Sequence, residues 1–594
     1  MCGISGEIRF DGRPASVEAV AAMSRCLAAR GPDGDGLWAS GPVALGHRRL
    51  AVIDLSARGA QPMVDSELGL TVVFNGCIYN YPELRTELEA KGYRFFSTSD
   101  TEVLLKAYHH WGERFVDHLV GMFALCIVER DTNRVVLARD RLGIKPLYLA
   151  EMAGAVRFAS TLPALVAAGD VDSTIDPVAL HHYLTFHSVV PAPRTIVRGV
   201  TKLPPATVLT IEADGRRRQV EYWRADEEAA GVADAGPKSA GEWREAVGAA
   251  LRLAVRRRLV SDVPVGVLLS GGLDSSLIVA LLSEQGQEHL STFSIGFESA
   301  GGEQGDEFRW SDAVASRYGT DHHQIRVPTP DVLSAVPATV AAMSEPMVSH
   351  DVVAFYLLSQ EVARHVKVVQ SGQGADEVFA GYHWYQSLAS AESDDVDRYA
   401  SVFFDRTHDD VRDVVNPEHF ADEDVSRSFV AEHFGRPGVT SAVRRALRLD
   451  THVMLVEDPV KRVDNTTMAW GLEARVPFLD HELVELAAAC PAELLLAQGG
   501  KGILKDLARD VLPADLIDRP KGYFPVPPLV HLSGASVELL REALLSPAAA
   551  DRGLFRTAHV RHLLDHPDEL TTLRYNKLWE LGLLELWLQT NDIG

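Results

Sequence analysis

The chain has 594 residues, more than one hydrophobic core usually supports, so two or three domains are expected. Its formal net charge of -24 argues against a broad electrostatic footprint for nucleic acid or an anionic membrane, because neutralising phosphate takes clustered Lys and Arg; a small anion at a local positive spot stays compatible. Five scattered cysteines (Cys2, Cys26, Cys77, Cys126 and Cys490), with no CxxC pair and no Cys/His ligand spacing, argue against a disulfide frame and a structural zinc site.

The chain opens on MCGIS. A start methionine before a small residue is a substrate for methionine aminopeptidase, so the mature chain is expected to begin at Cys2, with a thiol and a free α-amine on one residue. The thiolate is the reactive form, with a free pKa of about 8.5, and an α-amine near pKa ~8 can act as its base where a lysine near ~10.4 cannot. The five letters alone do not separate this from an incidental cysteine on a frayed terminus. With no room for a signal peptide before Cys2 and no apolar run of transmembrane length, a cytoplasmic protein without membrane partners is expected.

To about residue 220, short apolar or alternating runs (LGHRRLAVIDL, LTVVFNG, MFALCIVERD, RVVLARDRLG) are broken by Gly, Pro and Asp, with helical patterns in YPELRTELEAKG and TEVLLKAYHHWG. This predicts a mixed, largely antiparallel sheet carrying helices. Residues 224–241 turn small, acidic and flexible, a linker composition. Beyond them AVGAALRLAVRRRL has helical spacing, VPVGVLLS is a buried-strand run, and LDSSLIVALLSEQG is helical again; VKVVQSGQGADEVFAGY repeats the strand, Gly turn, helix order. That repetition points to a parallel α/β layer, followed by about 130 mostly helical residues including HELVELAAACPAELL and LWELGLLELWLQ. The histidine pairs at 109/110, 181/182 and 322/323 have no metal-type partners nearby in sequence and read as surface or packing residues.

VLLSGGLDSS, residues 267–276, carries the most chemistry. A strand feeding Ser270-Gly271-Gly272 into a helix aims unpaired N–H groups and a positive helix end at one point, a nest suited to an anion such as pyrophosphate. Asp274 in that loop would repel phosphate without a cation between them, which implies Mg²⁺. No GxxxxGK[ST] occurs, so this is not a Walker loop.

The string resembles the signature of ATP-pyrophosphatases, which cleave ATP between the α and β phosphates. Together with STFSIGF, SGQGADEVFAGY, AWGLEARVPFLDHELVE and KGILKDLARDVLP, the second half is similar to the synthetase part of the asparagine synthetase family. The resemblance implies that Asp274 and Asp376 hold Mg²⁺ and that Ser270, Gly271, Gly272, Asp274 and Ser275 meet the pyrophosphate end of ATP. Leu268, Ser276, Ser371 and Gly372 complete the implied ATP site. Lys501 would supply charge to departing pyrophosphate or stabilise the reacting acyl centre.

The first 200 residues resemble the same family's glutamine amidotransferase domain, through MCGISGEIRFDG, RGPDGDG, LGHRRLAVIDL, FNGCIYNY, STSDTEVLL and RDRLGIKPLY. By that resemblance Cys2 is the nucleophile of an N-terminal nucleophile hydrolase that frees ammonia from glutamine. Asn75 and Gly76 would form the oxyanion hole, Arg49 would hold the α-carboxylate of glutamine and Asp100 its ammonium. The implied fold is α/β and α+β in two domains: a four-layer αββα sandwich (1–220) and, after the linker, a parallel-sheet ATP-pyrophosphatase domain with a helical C-terminal part (243–594). Free ammonia at neutral pH is mostly protonated, so a shielded passage between the two sites is expected. The partners implied are glutamine, ATP and a carboxylate acceptor, with a homodimer left open.

Two positions depart from asparagine synthetases: Cys77 stands where glutamate is usual, and Gln373 where an acidic residue is frequent. Replacing a carboxylate by the amide of Gln373 removes a possible base and a charge near the acyl site, which suggests a different acceptor, while Cys77 reads as a small buried apolar residue. The opening GEIRFDG, NGCIYNY and the overall length are most similar to the N-acetylglutaminylglutamine amidotransferase branch, which implies conversion of that dipeptide's terminal carboxylate to an amide, giving a neutral osmolyte. The alternative is aspartate-to-asparagine conversion. A stand-alone amide hydrolase would leave SGGLDSS without a purpose, and a tRNA-modifying enzyme with this loop would need a basic face that the acidic balance disfavours.

Overall fold

A computed structural model describes residues 2–226, 229, 231, 236–299, 304–389, 394–519 and 526–594. The N-terminal part holds two six-stranded sheets whose pairings are all antiparallel. One runs Val200–Lys202, Tyr148–Met152, Ala155–Ala159, Gly3–Arg9, Val43–Arg49, Gly34–Ser40. The other runs Arg217–Glu221, Thr207–Ile211, Arg134–Arg139, Gly121–Glu129, Leu70–Ile78, Met63–Asp65.

Period-2 alternation explains the layering. In Gly121–Glu129, residues Phe123, Leu125 and Ile127 pack with the helices Tyr81–Ala90 and Asp100–Trp111, while Ala124, Cys126 and Val128 pack against Ile4, Val43 and Leu45 of the other sheet. On that sheet's far face, Ala44 and Ala159 meet Val20 and Met23 of the helix Val17–Cys26. The stack is therefore helices, sheet, sheet, helices. The apolar run MFALCIV has no polar face because both faces are covered.

The C-terminal part is built on a five-stranded parallel sheet, ordered Asp321–Val327, Ser291–Phe297, Val265–Leu268, Val368–Gln370, Glu473–Arg475. Chain order runs outward to one side from Val265–Leu268 and then to the other, so the switch point lies between Val265–Leu268 and Val368–Gln370. In open α/β sheets that crevice, at the carboxyl ends of the strands, is where ligands bind. The helix Leu273–Glu284 is buried all round, with Leu277, Ile278, Val279, Ala280, Leu281 and Leu282 fully covered.

Four expectations are amended. HELVELAAACPAELL is two helices, His481–Ala489 and Ala492–Leu496, because Pro491 cannot continue the first. LGHRRLAVIDL is a strand only to Arg49. Glu473–Arg475, three residues between helical segments, is an edge strand of the parallel sheet. Of the linker, 227, 228, 230 and 232–235 lie outside the described residues, and its last two residues begin the helix Ala240–Arg257, capped by Ser239 and Glu242. Among the described residues no helix is long and apolar enough to cross a membrane.

Candidate active sites

Cys2 lies at the head of the strand Gly3–Arg9 and is buried. It lines a pocket of about 380 Å³, open to solvent, with Arg49, Gly76, Cys77, Asp100, Glu473 and Arg475 among its walls. Cys2 N–H donates to Asn75 Oδ1 at 3.0 Å, and Arg30 Nε donates to Cys2 O at 3.2 Å. Asn75 Nδ2 is buried and finds no acceptor among the described residues, so the amide is held by its oxygen with its donor unspent. Burial pushes the Cys2 thiol pKa up.

The Arg49 guanidinium, at the end of the strand Val43–Arg49, donates to the backbone carbonyls of Ser56 (2.8 Å) and Asp54. Asp100 opens the helix Asp100–Trp111, whose cap is Ser99, so Asp100 is not itself the cap. Its carboxylate accepts from Ile78 N at 3.1 Å, and burial raises its pKa to about 6. The structure thus brings Cys2, Arg49, Gly76 and Asp100 to one pocket, with Asn75 bonded to Cys2.

At the switch point, Val265–Leu268 leads through Ser270, Gly271 and Gly272 into the helix Leu273–Glu284. Gly271 has φ +75°, and a Cβ there would lie 2.5 Å from Ser311 N, so the turn demands glycine. The helix has no side-chain cap, which leaves its first-turn N–H groups for a ligand. Ser270 Oγ and Ser275 Oγ are 3.1 Å apart across the loop. The second turn, Ser371-Gly372-Gln373-Gly374, packs on the first: a Cβ on Gly372 would lie 3.1 Å from Asp274 Cβ. Leu268, Ser276 and Ser371 are buried supports.

Lys501 joins the two turns. Its Nζ is 2.6 Å from Asp274 Oδ2 and 2.9 Å from Asp376 Oδ1, and the two carboxylates raise its pKa despite burial, which acts the other way. A Cβ on Gly381 would strike both Asp376 Oδ1 and Lys501 Cε at about 2.1–2.2 Å, so this glycine leaves room for the pair to meet. Two carboxylate oxygens converging on one point beside an uncapped helix is a donor set that suits a hard divalent cation bound to phosphate oxygens, and the residues present therefore fit Mg²⁺.

Three residues in these sites were not singled out from the sequence. Glu473 and Arg475, on the edge strand of the parallel sheet, form a wall of the Cys2 pocket, paired at 2.6 Å. Against burial, which raises it, positive neighbours including Arg475 hold Glu473 at a pKa of about 2. Both stand in the quoted AWGLEARVPFLDHELVE, so the signal was present without a role. Arg519 places Nη2 3.8 Å from the Cβ position of Gly272, and nothing in its sequence context marks it. Cys77, next to Gly76, lines the Cys2 pocket, and as a buried thiol whose pKa burial raises it is the small apolar residue expected. Gln373 sits in the second turn, beside Asp376.

The family model described as asparagine synthase matches residues 246–589, and the glutamine amidotransferase domain model matches residues 1–223. Asparagine synthetase (glutamine-hydrolyzing) 1 of Bacillus subtilis is 31% identical over 635 aligned residues, covering 100% of this chain and 97% of its own length. Asparagine synthetase (glutamine-hydrolyzing) 3 of the same organism is 31% identical, covering 88% of this chain and 87% of its own length. Asparagine synthetase B (glutamine-hydrolyzing) of Escherichia coli is 29% identical, covering 88% and 82% respectively.

Proposed function

Because the chain belongs to the asparagine synthase family and carries a glutamine amidotransferase domain, as a glutamine-hydrolysing ligase, we propose that it activates a carboxylate with ATP and aminates it with ammonia taken from glutamine. The observation that carries this reading is the meeting of Asp274, Asp376 and Lys501 at the switch point of a chain whose other pocket is built on Cys2.

In the Cys2 pocket, the thiol attacks the side-chain amide carbon of glutamine and passes its proton to the α-amine exposed when Met1 is removed. A buried thiol with a raised pKa needs such a base beside it. The oxyanion meets Asn75 Nδ2, the unspent donor, and the N–H of Gly76. Ammonia leaves, a thioester remains on Cys2, and water releases glutamate. Arg49 and Asp100 hold the α-carboxylate and α-ammonium of glutamine.

In the second site, a carboxylate oxygen of the acceptor attacks the α-phosphorus of ATP, pyrophosphate departs, and ammonia displaces AMP from the acyl carbon. Ser270, Gly271, Gly272 and Ser275 cradle the phosphates against the helix end. Asp274 and Asp376 would hold Mg²⁺, which supplies charge neutralisation for the phosphates when bound. Lys501 places a fixed cation where negative charge gathers as pyrophosphate leaves. The sandwich of residues 1–220 is read as the N-terminal nucleophile hydrolase domain and residues 243–594 as the synthetase domain.

The acceptor proposed is the terminal carboxylate of N-acetylglutaminylglutamine. Gln373 supports a different acceptor, as a neutral amide in the turn that leads into the helix of Asp376. Aspartate is the second reading, favoured by the names of the relatives. Incubation with ATP, Mg²⁺, glutamine and either N-acetylglutaminylglutamine or aspartate, with the product identified by mass, decides. A neutral dipeptide amide is expected; asparagine alone would establish the second reading, and no AMP with either would overturn both.

A further inference from the structure

His181 lies on the helix Pro177–Thr185 of the N-terminal part, whereas His408 opens the helix His408–Val414 and Asp424 caps the helix Val425–Gly435 in the C-terminal part. Folding brings them together. His181 Nε2 is 3.0 Å from His408 Nδ1 and 4.0 Å from Asp424 Oδ1, and the potential ligand atoms of all three lie within 4.8 Å of one another. The expectation that His181 has no metal-type partner holds along the sequence and fails in space.

The surroundings orient the first ring. Ser426 Oγ lies 2.9 Å from His181 Nδ1 and 3.0 Å from His182 Nδ1. In the tautomer where His181 Nδ1–H donates to Ser426 and Ser426 donates to His182 Nδ1, the lone pair of His181 is on Nε2, facing His408. Such a hydrogen bond to the far nitrogen is the usual support of a metal-ligating imidazole. Burial lowers His181 to a pKa of about 4, so the ring is neutral at pH 7. Asp424 is fixed by accepting Arg427 N–H at 3.0 Å. His181 is buried while His408 and Asp424 are half-buried, which gives an ion a way in.

We propose that His181, His408 and Asp424 bind one Zn²⁺ ion, completed by water, which staples the helix Pro177–Thr185 to the helices of the C-terminal part. Zinc–nitrogen bonds of about 2.0–2.1 Å place tetrahedral ligand nitrogens roughly 3.3 Å apart, close to the observed 3.0 Å, so the histidines need little movement. Binding replaces the His408–His181 hydrogen bond: His408 shifts its proton to Nε2 and presents Nδ1 to the metal, with no net proton released. Two imidazoles and one carboxylate suit Zn²⁺ better than Mg²⁺, which prefers all-oxygen sets.

The test is calorimetric titration of the chelator-treated full chain with Zn²⁺ in Mg²⁺-containing buffer, with bound metal measured by mass spectrometry. Wild type is expected to bind one tight equivalent, lost in H181A and H408A, and S426A should bind roughly 10- to 100-fold more weakly. Replacing Zn²⁺ by Co²⁺ should give the visible bands of a tetrahedral site in wild type and not in H408Q, a variant whose folding is checked by circular dichroism. A second group, exposed His562 and His566 with half-buried Glu569, is the competing location. Zinc retained in H408A but lost in the H562A/H566A double variant, or no tight equivalent in wild type, overturns the proposal.

Discussion

Asp464 accepts a 2.9 Å ion-pair hydrogen bond from Arg30, the residue that also donates to Cys2 O, so a single side chain links a carboxylate of the C-terminal part to Cys2. Lys145 Nζ adds a second cation at 3.3 Å, and all three groups are buried. Asp464→Asn leaves Arg30 and Lys145 without their anion, and breaking a buried pair costs about 3–5 kcal/mol. The expected result is a lowered unfolding midpoint in denaturant and a larger fall in glutamine-dependent than in ammonia-dependent synthesis. Equal loss of both rates would detach the Arg30 contact from the chemistry at Cys2.

Cys2→Ala should abolish glutamine use and leave synthesis from added ammonium salts near wild type, since the second site is built from other residues. Initial rates with each nitrogen source make the check. Loss of both would count against two separate centres.

Asp100 predicts a pH effect with a definite sign. Its carboxyl is pushed up to about 6 by burial, so it is charged at pH 7 and protonates as the pH falls through 6. The ammonium group of glutamine then loses its partner. kcat/KM for glutamine, which reports the free enzyme, should drop about tenfold per unit below pH 6. Asp100→Asn should be low throughout, without that inflection; a wild-type profile flat to pH 5 would remove Asp100 from glutamine recognition.

Asp274→Ala should stop ATP cleavage while glutaminase activity survives. The substitution also frees Lys501 from its 2.6 Å partner, so pyrophosphate release is the cleaner readout than structure alone. Unchanged pyrophosphate release would contradict the role given to both groups.

Sequence by itself determined the chemistry-bearing turns. Cys2, the Ser270-Gly271-Gly272 loop with Asp274, and Asp376 sit in local patterns whose meaning lies in a few consecutive residues: a strand, glycines that permit the turn, and a helix end. Helices such as Leu273–Glu284 and Lys577–Thr590 were likewise legible because their apolar spacing is local. Only the tertiary structure decided which distant residues share a site. Glu473 and Arg475 occupy a strand of three residues, too short to show a period, and reach the Cys2 pocket because that strand pairs with Val368–Gln370 at the sheet's edge. His181 likewise acquired His408 and Asp424. Periodicity constrains which face of an element is buried, whereas the partner across the gap is chosen by how whole layers pack, and that choice is spread over residues hundreds of positions apart.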